Sequence, residues 1–468
     1  MQITEIIVYF LGLISLITIL KKELLNIKFI VSIFSLTIFF TLIHLIFGEY
    51  RWQILPLYIS ITISIFLLII YMVNHQWANH YKISRKILLT LSTVSILISM
   101  IVSMILPVYD VIKPTGTYDI GTTSYVLTDE SREEIYADVG KRMIKTQFWY
   151  PAKTTLGYEI APWIQDGKKV TTALASGYGF PSFMLNHMTK IDSNAYLDAP
   201  ISDDLNSYPI IVLSHGWTGL RSLHVDIAEE LASYGYIVVG IEHTYGSIAT
   251  VISDEDIRYL NPEALPNTDT ESEFMVYANQ LVTTYANDIM FTLDELEKMN
   301  QGDISSKFEG KLDLSKIGLI GHSTGAGADT LVALNDERIK AIIGMDAWVE
   351  PILQSDLDKT LNIPALYLRS EEWEIGNNNI NLNHLVDNSQ NDAYLYQIDH
   401  TIHYDFSMVY MFSPISKYVG VTGKVDKDEM ISIMRGIAVS FFDENLKSLS
   451  DLDLNQLDQY WLEVKKIK

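Results

Sequence analysis

Two rhythms of apolar and polar residues divide the chain. The first is a set of four long apolar runs, Ile6–Leu20, Ile30–Phe47, Ile54–Val73 and Ile87–Val108, none broken by Asp, Glu, Lys or Arg. A helix needs about 20 mostly apolar residues to cross the hydrocarbon core of a bilayer. The runs therefore predict about four transmembrane helices within residues 1–110. The opening run is short. No basic stretch precedes it and no small-residue cleavage site follows it, so it reads as a span rather than a signal peptide. His44 falls inside the second run and reads as packed or interior-facing rather than as a proton relay.

The second rhythm alternates short apolar runs with amphipathic stretches. Pro209–Leu213, Tyr236–Ile241, Lys316–Ile320, Ala341–Met345, Ala365–Leu368 and Tyr394–Ile398 suit strands buried on both faces, and Gln147–Tyr150, stopped by Pro151, predicts a short one. Leu223, Ile227, Ala228 and Leu231 share one face of a helix that Gly235 stops. Further helices are predicted over Phe274–Met299 and Thr324–Leu334, and from near Asp426 to near Leu446, where Asp426 and Glu429 form a capping-box pattern. Alternation of this kind predicts an α/β domain over 111–450, a mainly parallel sheet covered by helices. Ligands in such domains gather at the carboxyl ends of the strands. Residues 155–205 break the alternation. They are rich in Gly, Tyr, Phe and Met and read as an insertion near the site mouth, either over the pocket, against lipid, or as a loop with a small core of its own. Residues 451–468 read as a C-terminal tail.

Charge sharpens the division. Residues 1–110 hold seven Lys/Arg against four Asp/Glu, so the chain's net −23 leaves about −26 on residues 111–468. An acidic domain repels phosphate backbones, which argues against nucleic acid as a partner. Loop one carries Lys21, Lys22 and Lys28, and loop three carries Lys82, Arg85 and Lys86; the second loop has only Arg51, beside Glu49. The positive-inside tendency then predicts a multi-pass cell-membrane protein with loops one and three inside and the acidic domain on the extracytoplasmic side. Tyr50, Trp52, Trp77, Tyr81 and Tyr109 sit at run ends, where interfacial aromatics belong. The chain has no cysteine, which removes disulfides, thiolate nucleophiles and Cys-type zinc sites together.

The candidate chemistry lies in Gly321-His322-Ser323-Thr324-Gly325. A G-x-S-x-G pentapeptide alone is a weak signal. Here it follows a buried strand and opens a helix, as a nucleophile elbow requires. A serine hydroxyl needs a base, and the base an orienting acid. Asp346 follows the next buried strand at its carboxyl end, while Glu371, Glu372 and Glu374 follow the strand after that and are rivals. His400 and His403 both follow Tyr394–Ile398; His384 lies in an Asn-rich stretch and reads as peripheral. No metal-ligand motif accompanies the histidines, so neither a metal nor another cofactor is expected. Acyl transfer also needs donors for the developing oxyanion. The backbone N–H of Thr324 is one candidate. Trp217, in the loop Ser214-His215-Gly216-Trp217, offers the other, with Gly216 allowing close approach and His215 shaping the loop.

Taken together these residues resemble the platelet-activating-factor acetylhydrolase family, the plasma-type α/β-hydrolase lipases and esterases. The pieces are Phe148-Trp149-Tyr150-Pro151, Ser214-His215-Gly216, Leu231 to Tyr236 with Glu242-His243, Gly321 to Gly325, Asp346-Ala347-Trp348, and His403 with Asp405-Phe406. The resemblance implies an α/β-hydrolase fold, a triad of Ser323, Asp346 and His403, and oxyanion donors at Trp217 and Thr324. It implies metal-free cleavage of carboxylic esters, among them short-acyl phospholipids and other lipid esters. The helical front departs from the plasma enzymes. Two other readings stand beside hydrolysis: a catalytically silent binding domain on a membrane anchor, and an acyltransferase using the same triad.

Overall fold

The computed structural model describes residues 3–21, 25–48, 50–73, 82–449 and 452–468. Lys22, Glu49, Trp77 and Tyr81, which enter the orientation argument, lie outside the described residues. The chain forms two compact units, Met1–Tyr109 and Asp110–Lys468.

The first unit is four helices, α1 (Ile3–Leu20), α2 (Ile27–Phe47), α3 (Leu55–Val73) and α4 (Lys82–Ile105). All four are long and apolar enough to cross a membrane. Their polarity is inverted relative to a soluble bundle. Phe10, Ile17, Phe39, Phe66 and Ile98 face outward, while polar groups turn in and find one another. The buried Glu5 carboxylate accepts two bonds from the Arg51 guanidinium, at 2.8 and 2.7 Å. Arg51 also donates to the Leu106 carbonyl at 3.0 Å. The Tyr9 hydroxyl lies 2.8 Å from Ser99 Oγ and 3.0 Å from Ser103 Oγ, and Ser15 pairs with Thr37 at 2.8 Å. His44 is buried, with Nδ1 3.2 Å from Thr4 Oγ1. These polar groups pair with one another inside the bundle.

The second unit is built on one sheet. In chain order its elements are β1 (Ile120–Glu133), β2 (Lys141–Pro151), β3 (Ile160–Pro162), α5 (Gly167–Gly177), β4 (Asp192–Leu197), β5 (Tyr208–Ser214), α6 (Val225–Ser233) and β6 (Ile237–Glu242). They continue with β7 (Ala249–Val251), β8 (Ile257–Tyr259), α7 (Glu271–Gln301), β9 (Leu312–His322), α8 (Thr324–Ala333), β10 (Ile339–Met345) and β11 (Ala365–Ser370). The last are α9 (Asn377–Asp387), β12 (Ala393–Ile398), α10 (Lys427–Phe442) and β13 (Val464–Lys466). Strands run β13-β12-β11-β10-β9-β5-β6-β2-β1-β4-β3 across the sheet. From β12 to β6 every neighbour pair is parallel; β2 is antiparallel to β6, and β13 to β12.

The strands alternate sides, so successive residues reach opposite layers. Ile210, Val212, Ile317 and Leu319 pack with Leu281, Tyr285, Ile289 and Leu293 of α7 and Ala326 and Val332 of α8. Gly318 points the other way, where a Cβ would lie 2.5 Å from the Phe442 ring of α10. Helices thus cover both faces. Each fully buried Leu, Ile or Phe contributes about 1.5–3 kcal/mol.

Three features add to the sequence reading. The long strand β1 was not expected, because its Thr-rich, half-exposed pattern lacks a continuous apolar run. Segment 155–205 is ordered. β4 pairs in parallel with β1, and α5 buries Val170, Leu174 and Ala175 in a small core beside Leu185, Met188 and Ile191. The Trp163 indole N–H within it donates to the Ser222 carbonyl at 2.7 Å. Finally, the tail residues 452–468 pack on the domain: Val464–Lys466 pairs with β12, and Leu454, Leu457 and Val464 are buried. The unpaired edge of β12 supplies the reason, since an exposed strand edge recruits a partner.

Candidate active site

The site is assembled at the carboxyl ends of β5, β9, β10, β11 and β12. Ser323 occupies the turn between β9 and α8 with φ 57° and ψ −122°. A non-glycine residue adopts this region only when its surroundings enforce it. Here the Ser323 N–H donates to the Met345 carbonyl at 2.9 Å, and the Ser323 carbonyl accepts from the N–H groups of Gly327 and Trp348, each at 3.0 Å. The turn leaves no room for side chains beside it. A Cβ at Gly321 would lie 2.3 Å from Asp329 Oδ2, and one at Gly325 would lie 2.4 Å from the Ser214 carbonyl oxygen. Thr324 opens α8, so its N–H has no intrahelical acceptor and forms part of the positive end of the helix dipole.

Asp346 follows β10, is fully buried, and sits at φ 41°. Its Oδ1 accepts from the Ser370 N–H at 2.6 Å and its Oδ2 from Ser370 Oγ at 2.7 Å. Oδ2 also lies 3.0 Å from His403 Nδ1. That contact fixes Nδ1 as the protonated nitrogen and leaves Nε2 as the basic one. The structure thus brings Asp346 and His403 together. His403 and Ser323 line one cavity of about 180 Å³ with His215, Gly216, Trp217 and His322.

The three rival carboxylates make other contacts. Glu372 Oε2 accepts from the His403 backbone N–H at 3.0 Å, Glu371 is 4.0 Å from the His400 ring, and Glu374 is 4.0 Å from Arg369. The His400 side chain is exposed, and His384 pairs with Asp358 at 3.1 Å on the surface.

The loop after β5 touches the elbow: a Cβ on Gly216 would come within 2.9 Å of Ser323 Cβ. His215 shapes this loop. Its Nε2 accepts from the His243 N–H at 3.1 Å, which leaves Nδ1–H to donate to the Gly216 carbonyl at 2.7 Å. Arg221 ties down the loop's far end. Its guanidinium donates to Glu242, to Gln147 at 3.0 Å and to Asp166 at 2.8 Å. His322, beside Ser323, spans to His403: its Nε2–H donates to the His403 carbonyl at 3.0 Å. Burial pushes the His322 imidazole well down, so the ring is neutral.

Two neighbours carried no readable signal: Ser370 belongs to a strand end, and Trp373 stacks on His403. Asp405, read from sequence only as part of a motif, caps the turn at His403 by accepting from the N–H groups of Ile402 at 2.7 Å and Gly423 at 2.8 Å. The Glu242-His243 pair reads from sequence as a motif only. In the fold Glu242 anchors Arg221, and His243 Nδ1 meets Asp288 Oδ2 at 3.1 Å. Burial pushes the His243 imidazole down to about 4, against the pull of Asp288.

A parallel sheet with helices on both faces, a strained serine between strand and helix, and an acid and a histidine on later strands define an α/β-hydrolase. A solved ferulic acid esterase from Streptomyces cinnamoneus shares the fold, with a TM-score of 0.63 and 21% identity, over 77% of this chain and all of that one. Within that class the chain belongs to the family described as platelet-activating factor acetylhydrolase, isoform II, which matches residues 107–463. It is 25% identical to the platelet-activating factor acetylhydrolase of Gallus gallus over 53% of this chain and 64% of that protein. It is 22% identical to the Cavia porcellus enzyme over 71% of this chain and 77% of that protein. The family makes it a carboxylic-ester hydrolase. The four apolar helices precede the matched residues.

Proposed function

We propose that this chain is a membrane-anchored serine esterase that cleaves lipid esters, short-acyl phospholipids among them, through an acyl-enzyme. The observation that carries the proposal is the arrangement at the sheet edge: Asp346 Oδ2 holds His403 Nδ1 at 3.0 Å, and His403 shares a small cavity with the strained Ser323. Ser323 Oγ attacks the ester carbonyl carbon while His403 Nε2 takes its proton. Asp346 keeps the ring oriented and stabilises the imidazolium that forms. The N–H groups of Trp217 and Thr324 receive the developing oxyanion, prepaid by the fixed loop and helix end. Collapse expels the alcohol, which takes the proton from His403, and water activated by the same histidine releases the acid.

The lining of the cavity has no Lys, Arg, Asp or Glu side chain among the described residues. An uncharged acyl group suits it, and a charged head group stays outside. The positive-inside pattern supports an extracytoplasmic catalytic domain. Labelling with a fluorophosphonate probe tests the mechanism. Wild-type protein is expected to label at Ser323 and to turn over p-nitrophenyl esters. A Ser323→Ala protein that kept substantial turnover would refute the reading.

A further inference from the structure

His403, the base proposed above, packs against two rings and bonds a carboxylate, and one short turn supplies much of the grip. After β11 the chain runs Ser370-Glu371-Glu372-Trp373. Ser370 binds both oxygens of Asp346, Glu372 accepts the backbone N–H of His403, and Trp373 covers the imidazole. A single turn therefore positions both the acid and the base.

The ring geometry goes further than positioning. The Trp373 indole and the His403 imidazole are parallel within 3°, with centroids 4.7 Å apart. His322 also lies close, its centroid 4.5 Å from that of His403 and tilted by 35°, with the edge of Tyr404 at 5.8 Å. A cation over an indole face is attracted by the negative face of the ring, and tryptophan is the strongest of the aromatic partners. The neutral imidazole gains little from the same contact. In the mechanism proposed above, His403 becomes cationic when it takes the Ser323 proton. Among the described residues, the Asp346 carboxylate meets Nδ1, the Glu372 carboxylate accepts from the His403 backbone N–H, and burial pushes the neighbouring His322 imidazole well down, so that ring stays uncharged.

We infer that Trp373 is a positioning residue for the base, one whose indole face favours the imidazolium form of His403 and so lowers the barrier to attack by Ser323. The inference rests on the triad proposed above. Because the interaction strengthens only as the proton moves, it belongs to kcat rather than to substrate binding.

The test is steady-state hydrolysis of p-nitrophenyl acetate by the full-length protein in detergent, comparing wild type, Trp373→Phe and Trp373→Leu, with fluorophosphonate labelling at Ser323 to confirm a folded site. Trp373→Leu is expected to lower kcat about tenfold with KM within about twofold, the size of a partly desolvated cation–π contact. Trp373→Phe, which keeps a weaker face, is expected to fall between Leu and wild type. Equal kcat for the Phe and Leu variants, or a raised KM with unchanged kcat, overturns the inference. If Trp373→Leu does not fold, Trp373→Phe alone decides: a kcat equal to wild type overturns it. If wild type neither labels nor turns over, the triad itself has failed, which is a different result from a labelled enzyme indifferent to residue 373.

Discussion

Ser323, Asp346 and His403 each depend on neighbours that no local sequence pattern reveals. Asp346 accepts two bonds from Ser370 and one from His403, so its charge is fixed in place before any substrate arrives. Asp346→Asn is expected to cut kcat by about 10⁴-fold, the cost of presenting the wrong tautomer in comparable triads, measured as turnover with labelling as the fold control. Gly325 makes a second point at this scale. A Cβ there would lie 2.4 Å from the Ser214 carbonyl, which is backbone and cannot swing away. Gly325→Ala is expected to abolish labelling while the domain still melts cooperatively, because the elbow has to open to accept it. Ser323 and Asp346 stood out as candidates in the sequence because each follows a buried apolar run. His403 was separable from His400 only through family resemblance; in the fold His400 is turned out to solvent and His403 inward.

Elements were legible in proportion to how completely they are buried. The parallel strands β5, β6 and β9–β12 announce themselves as continuous apolar runs. Strands β1, β4 and β13 do not, since one face or one end of each meets solvent and their side chains are mixed. The edge strand gives a direct test. Ending the chain at residue 449 removes buried Leu454, Leu457 and Val464 and uncovers β12, so the melting temperature of the hydrolase unit is expected to fall by several degrees. Under the other face, α7 is pinned to β2 by charge: Arg142 donates to both oxygens of Asp288, at 3.1 and 2.6 Å. Burial alone would raise the Asp288 carboxyl, but Arg142 and His243 hold it well below its ordinary 3.8. A lowered folded-state pKa contributes stability that is present above about pH 4 and is lost as pH falls below it. Asp288→Asn, which leaves Arg142 short of its partner, is expected to cost about 3 kcal/mol at pH 7 and progressively less below pH 4, read from melting curves across pH.

At the scale of the whole molecule the division into an apolar basic front and an acidic catalytic rear was plain from composition, and the chain divides at Tyr109. What composition could not give is how the front satisfies its polar groups. Glu5 and Arg51 are 46 positions apart and meet only when the helices pack. Topology is testable on intact cells: an extracytoplasmic domain is digested by added protease, and a domain that survives while a surface control is cleaved reverses the orientation. The central claim is that Ser323 is an activated nucleophile served by His403 and Asp346. The most direct measurement is fluorophosphonate labelling of the purified full-length protein, run beside Ser323→Ala and His403→Ala. Rapid labelling of wild type, none at Ser323→Ala and a severely slowed reaction at His403→Ala are the predicted results; a folded wild-type protein that does not label, or labelling that persists without Ser323, would contradict the account.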